Sequence, residues 1–191
     1  MSSIKISAVL LAAGLSFRMG EDKLLLEYQG KSLLQHAIDV MTVLPVYERI
    51  LISTDARIMQ LGLPPGIRSY LNPYPEDGQS GSIRLGIEAA TGTHYLFLAA
   101  DQPKLKPGDL VPLLEAIVKY PDKIIYPTVE SKPNSPTVFP AKFKKELLEL
   151  SGDVGGRAIR NAYPETCYPI EPECPMNFID IDTMEDYAKL L

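Results

Sequence analysis

Four short apolar runs constrain the fold of this chain more than any other feature: Ile6-Ser-Ala-Val-Leu-Leu11, Arg49-Ile-Leu-Ile-Ser53, His94-Tyr-Leu-Phe-Leu-Ala-Ala100 and Lys123-Ile-Ile-Tyr-Pro127. Each is nearly continuous and bounded by turn-forming or polar residues, as strands are when helices cover both faces of a parallel sheet. Between the runs the apolar period changes. Leu33, Leu34, Ala37, Ile38 and Met41 fall at helical spacing, as do Leu110, Leu113, Leu114, Ile117 and Val118, and Ile83, Ile87 and Ala90 make a shorter stripe. Strands alternating with helices predict right-handed βαβ units in a single α/β domain over residues 1–191, with a mostly parallel sheet and helices on both faces. Ligands of such domains sit beyond the carboxyl ends of the strands.

Other segments carry weaker signals. Ser131 to Pro136 is turn-rich, and Phe143 to Leu150 reads as an amphipathic helix. Ile179 and Ile181 alternate with Asp180 and Asp182 as in an edge strand, and Thr183 with Asp186 forms a capping-box start for a last helix. Lys5 followed by an apolar run resembles a short signal peptide, but one cation precedes it and Arg18 and Lys23 follow at once, so a strand in a cytoplasmic protein is expected. No stretch approaches a membrane span. Cys167 and Cys174 are expected to be reduced thiols. The net charge of −5 gives no footprint for nucleic acid, so an anionic ligand has to be caught by a local cluster of cations.

Two such places stand at strand ends. After the first run comes Leu11-Ala-Ala-Gly-Leu-Ser-Phe-Arg-Met-Gly-Glu-Asp-Lys23, where small residues expose backbone N–H groups in a nest suited to phosphate. Arg18 adds a planar fork of donors and Lys23 a mobile point charge. The spacing is neither a P-loop nor a dinucleotide fingerprint. After the third run, Asp101 ends the most apolar strand in Ala-Ala-Asp-Gln-Pro103, where a carboxylate is costly unless paired. Mg²⁺ would pair it, with phosphates and water completing the shell and Asp182 or Asp180 as a second carboxylate. The plainer alternatives are a turn aspartate at 101 and an exposed strand face at 180 and 182. Ser80 or Ser82, in Gly78-Gln-Ser-Gly-Ser82, is a natural N-cap for the helix that follows, in a donor-rich loop able to touch a base. His36 and His94 lie in structural positions. A nucleophile that is already an anionic phosphate needs no general base.

Together these motifs resemble the molybdenum-cofactor nucleotidyltransferases, in particular their cytidylyl branch. Leu11 through Lys23 is similar to the family's L-A-A-G-x-S-x-R-M-G-x-x-K signature, and it continues into Leu24-Leu-Leu and Gly30-Lys-Ser-Leu-Leu34. Gly78 to Gly86 resembles its second nucleotide loop and Ala100-Asp-Gln-Pro103 its metal motif. Pro136-Thr-Val-Phe139, Leu150 to Arg157 and Asp180 to Thr183 resemble its later elements. The resemblance implies a Rossmann-like nucleotidyltransferase that uses CTP and Mg²⁺, transfers CMP to the terminal phosphate of the molybdopterin cofactor and releases pyrophosphate. A molybdoenzyme would be the transient recipient of the product. The implied substrate contacts are Leu11, Ala12, Ala13, Gly14, Ser16, Arg18, Met19, Gly20, Lys23, Ser80, Gly81 and Ser82. The implied catalytic groups are Arg18, Lys23 and Asp101, with Asp101 and Asp182 on the metal. The guanylyl branch resembles L-A-G-G, so the methyl of Ala13 predicts CTP over GTP. Where the cytidylyl branch resembles Gly-His-Pro this chain has Asn134-Ser-Pro136, which leaves the acceptor open. Two other readings are a sugar- or polyol-phosphate cytidylyltransferase and a non-catalytic nucleotide-binding accessory protein.

Overall fold

The first apolar run becomes β1 (Ile6–Ala12), and its neighbours explain its continuity. Ile6, Ala8, Leu10 and Ala12 join the core on one face of the sheet, while Val9 and Ala13 join the core on the other. A computed structural model describes residues 3–14, 22–54, 56 and 62–191 of the chain. The other three runs form β4 (Glu48–Ser53), β6 (His94–Ala99) and β7 (Ile124–Val129). Among the described residues, seven strands lie side by side in the order β10-β7-β9-β6-β1-β4-β5, with β5 at Ile67–Leu71, β9 at Thr137–Pro140 and β10 at Cys167–Ile170. β8 (Lys132–Pro133) pairs with β7 as the eighth. β1 pairs parallel with β4 and β6, whereas β9 runs antiparallel between β6 and β7. A small hairpin of β2 (Glu27–Tyr28) and β3 (Lys31–Ser32) stands apart.

Helices cover both faces, as the sequence predicts. On one face α1 (Leu33–Val43) buries Leu34, Ala37, Ile38 and Met41, and α3 (Val111–Lys119) buries Leu113, Ala116 and Ile117, while Val118 stays exposed. On the other, α2 (Gln79–Ala89) packs Ile83 and Ile87 against β1 and β4. Gly86 lies so near β1 that a β-carbon there would come within 2.6 Å of Val9 Cγ1. Close helix–sheet contact is the reason for that glycine.

The structure departs from sequence expectation in three places. The helix expected from Phe143 begins as a 3-10 turn, and α4 spans only Lys144–Leu148. Neither Ser80 nor Ser82 is an N-cap: Gly78 holds that place at φ 78, and both serines lie buried in the first turn of α2, where Ser80 accepts from Arg84 and Ser82 from Asn72. Residues 179–182 form no strand. Ile181 is instead buried with Leu33 and Leu190, and its N–H donates to the Asp101 carbonyl at 2.9 Å, so side-chain burial and one tether replace a ladder. The capping box at Thr183 and Asp186 does open α6 (Met184–Leu190). His36 and His94 bond the carbonyls of Tyr28 and Pro121, and both cysteines are free. No described helix is long and apolar enough to cross a membrane.

At the edge of the sheet where the parallel strands begin, Glu48 ties β1 and β4 to the loop before β6. Its carboxylate accepts from the Ser7 hydroxyl and the Thr91 N–H, each at 2.6 Å, and pairs with Arg68. Burial raises the proton affinity of this carboxyl, but the Ser7 and Thr91 bonds outweigh it and hold Glu48 below the usual glutamate range. A carboxyl with a folded pKa below its unfolded one adds stability that is present above the unfolded value and is lost as pH falls through the folded one. Glu48→Gln is therefore expected to cost about 1–3 kcal/mol at neutral pH. It should also flatten the fall of stability on acidification, which urea unfolding at neutral and mildly acid pH checks.

Candidate active site

β1 and β6 are parallel and β9 runs against them, with Thr137 opposite Phe97. The end of β1, the end of β6 and the start of β9 therefore share one edge of the sheet. A cleft of about 470 Å³ opens there, with Gly14, Asp101 and Thr137 along its floor. Gln79 and Ser82 of α2 and Arg157 and Arg160 of α5 (Arg157–Ala162) also line it, and the loop before α5 lies against the start of α2, where the Gln79 N–H donates to Asp153 Oδ1 at 3.4 Å.

Lys23 opens a 3-10 turn, Lys23–Leu25, whose N-cap Asp22 accepts from the Leu24 N–H at 3.2 Å. Its ammonium donates to Asp101 Oδ2 at 2.7 Å, to the Ile181 carbonyl at 3.0 Å and to Asp182 Oδ1 at 3.1 Å. The charge expected to be mobile is thus tied between the two carboxylates expected to hold a metal. Burial works against the Lys23 charge, but Asp101 and Asp182 outweigh it and raise its affinity for the proton.

What brings Asp182 here is a pair of amides. Gln102 Nε2 and Asn134 Nδ2 both donate to the Phe178 carbonyl, at 2.8 and 3.0 Å, and Gln102 also reaches the Ser135 carbonyl at 3.2 Å. With the Ile181–Asp101 bond these contacts fasten the C-terminal segment across the end of β6. Asp180 is carried into the same corner. Burial first, then the charges of Asp101 and Asp182, push its carboxyl up to about 7.

The donor set fits a divalent cation. Asp101 Oδ1 is buried without a hydrogen-bond partner among the described residues, and the single Lys23 ammonium spanning Asp101 and Asp182 shows that one cation can touch both carboxylates. No group of three or more metal-ligating side chains occurs among the described residues. Two carboxylates suit Mg²⁺, which characteristically takes one or two and fills its shell with phosphates and water.

Of the residues singled out in the sequence, Leu11, Ala13, Gly14, Lys23, Ser82 and Asp101 line the cleft. Ala12, Ser80 and Gly81 are buried and do not line it. Ser16, Arg18, Met19 and Gly20 lie outside the described residues. Asp182 meets Lys23, whereas Asp180 is buried beside them and feels the Lys23 charge. Residue-level reasoning missed Gln79, Thr137 and Arg160. The spacing Arg157-x-x-Arg160, two cations one turn apart after a glycine loop, was the available signal.

An α/β domain with a cleft at the carboxyl ends of its central parallel strands, holding a lysine–carboxylate cluster, has the architecture of a Rossmann-like nucleotidyltransferase. Residues 8–167 match the MobA-like NTP transferase domain, and the chain belongs to that family. A Vibrio cholerae protein named molybdenum cofactor guanylyltransferase is 31% identical over 189 residues, covering 96% of this chain and 90% of its own. A Paenarthrobacter nicotinovorans protein named nicotine blue oxidoreductase is 29% identical over 199 aligned residues, covering 97% and 96%. Among solved structures, that of Rv0371c from Mycobacterium tuberculosis matches with TM-score 0.80 at 22% identity, covering 100% of this chain and 99% of that one. The same protein has been crystallised with manganese, and that structure matches with TM-score 0.73 at 21% identity, covering 98% of each chain. Likeness at this identity shows the shared fold.

Proposed function

We propose that this protein transfers a nucleotidyl group from a nucleoside triphosphate, CTP in our reading, to the terminal phosphate of the molybdenum cofactor. The observation that carries the reading is the ammonium of Lys23 clasped by Asp101 and Asp182 at the mouth of the β1–β6 cleft. The domain over residues 1–191 acts as one unit in it. The nucleotide end is formed by Gly14 and the start of α2, with Ser16, Arg18, Met19 and Gly20 assigned to the triphosphate by the motif alone.

In the reaction an oxygen of the acceptor phosphate forms a bond to the α-phosphorus. The bond from that phosphorus to the bridging oxygen breaks, and pyrophosphate leaves with the electron pair. The acceptor oxygen is already anionic, so no side chain need remove a proton. Lys23 holds a full charge at a partly dehydrated place, where it can face the departing oxygens without reorganising water. Asp101 and Asp182 orient that ammonium and stand ready as oxygen ligands. A divalent cation, Mg²⁺ in this reading, would be held by Asp101 and Asp182 and would supply neutralisation of phosphate charge. The manganese complex of the M. tuberculosis protein supports metal use in this fold.

The choice of base rests on Ala13, which lines the cleft beside Gly14 with its methyl almost fully buried. In our reading that methyl takes space a purine would need. The V. cholerae relative is named for guanylyl transfer, which favours GTP as the second reading. Comparison of kcat/KM for the four nucleoside triphosphates separates them: CTP is expected to lead, by about 10-fold or more for a base that one methyl displaces. A GTP preference would discard the cytidylyl part and leave nucleotidyl transfer standing. Absence of pyrophosphate release with any triphosphate and molybdopterin would discard both, in favour of a nucleotide-binding accessory role.

A further inference from the structure

On the side of the cleft where β9 lies, separated from β1 by β6, there is positive charge that the reaction described above does not use. Arg157 and Arg160 both line it from α5, and neither guanidinium forms an ion pair with a carboxylate among the described residues. Arg160 is held in place. One of its terminal nitrogens donates to Thr137 Oγ1 at 3.1 Å, and its guanidinium carbon stands 4.8 Å from the centre of the Tyr126 ring. Stacking fixes the plane of the fork, and Thr137 fixes one corner of it. Its Nε is buried and has no hydrogen-bond partner among the described residues. Burial, with the Arg157 charge alongside, works against the charged form of Arg160.

A guanidinium in such a place is costly until an anion arrives, and its planar fork matches a phosphate with two oxygens engaged. Thr137 begins β9, next to the end of β6, so the fork lines the same cleft as Asp101 at that edge of the sheet. We propose that Arg160, seated by Tyr126 and Thr137, is a specificity-determining residue that binds the phosphate group of the acceptor, a phosphomonoester, and turns one of its oxygens toward the donor. The proposal rests on the transfer reading only in calling this phosphate the acceptor. Binding of a phosphomonoester by Arg160 is a separate claim.

The test is calorimetric titration of phenyl phosphate, and separately of CTP with Mg²⁺, into the wild-type protein, Arg160→Met, Arg160→Lys and Thr137→Val. Arg160→Met is expected to weaken phenyl phosphate binding about tenfold or more, the scale of a lost charge-assisted bond pair. Arg160→Lys keeps the charge without the fork and Thr137→Val frees the fork without removing it, so both should fall between. CTP affinity should change less than about twofold, because the partners that hold Arg160 are Thr137 of β9 and Tyr126 of β7 rather than Gly14 or α2. The lysine variant also keeps the site testable if the methionine variant unfolds. Equal phenyl phosphate binding by wild type and Arg160→Met overturns the proposal, as does no binding by wild type, or an equal loss of CTP affinity. Arg160-dependent phenyl phosphate binding in a protein that binds no nucleotide would uphold this site and remove the transfer reading instead.

Discussion

Asp101→Asn is expected to lower kcat for nucleotidyl transfer by about 10²–10³, the usual effect of removing one preorganised charge from a transition-state site. The carboxylate acts at two points. It holds the Lys23 ammonium at 2.7 Å through Oδ2, and its buried Oδ1, unpartnered among the described residues, is the oxygen left for a cation. The fold should survive, since the Ile181 N–H bonds the Asp101 main-chain carbonyl rather than its side chain. Removing one negative charge from a corner that also holds Asp180 and Asp182 relieves repulsion, which offsets part of the lost pairing with Lys23. The measurements are single-turnover CMP transfer, Mn²⁺ binding by electron paramagnetic resonance, and thermal unfolding. Transfer within about threefold of wild type would refute the mechanism, because so small a change is under 1 kcal/mol of transition-state stabilisation.

Lys23→Met should slow transfer by a similar factor of about 10²–10³, but with a larger loss of stability. It leaves Asp101 and Asp182 facing each other with no ammonium between them. Breaking a fully buried pair costs about 3–5 kcal/mol. Here Asp182 is 55% exposed while Lys23 and Asp101 are 17% and 19% exposed, and water screens part of the loss, so about 1–2 kcal/mol is expected. The double variant Lys23→Met/Asp101→Asn separates the roles. Stability should return toward wild type as the uncompensated carboxylate disappears, while transfer remains suppressed. Recovery of activity together with stability would mean that Lys23 serves only to neutralise Asp101.

Much of the scaffold was legible because its signals are local. A strand buried on both faces must be apolar at nearly every position, and the runs that became β1, β4, β6 and β7 show it. The turn chemistry of Thr183 and Asp186 is equally local. The strands that escaped notice are short, exposed or interrupted: β5 is half exposed, β9 lies against Pro136 and ends at Pro140, and β10 contains Pro169. At Ile179 to Asp182 alternation misled, because the same period 2 arises when an extended segment buries one side chain among Leu33 and Leu190 and turns the next toward a charge cluster.

The sequence by itself determined an alternating α/β scaffold, the strand end at Gly14, and the acid that closes β6, since periodicity and turn propensity are properties of neighbouring residues. Only the tertiary structure decided that Lys23 lies between Asp101 and Asp182, that Asn134 and Gln102 fasten Phe178 across the site, and that Arg160 stacks on Tyr126 above the cleft. Charge pairing and stacking depend on distances of a few ångströms between residues far apart in the chain, and no local pattern of residues encodes such a distance.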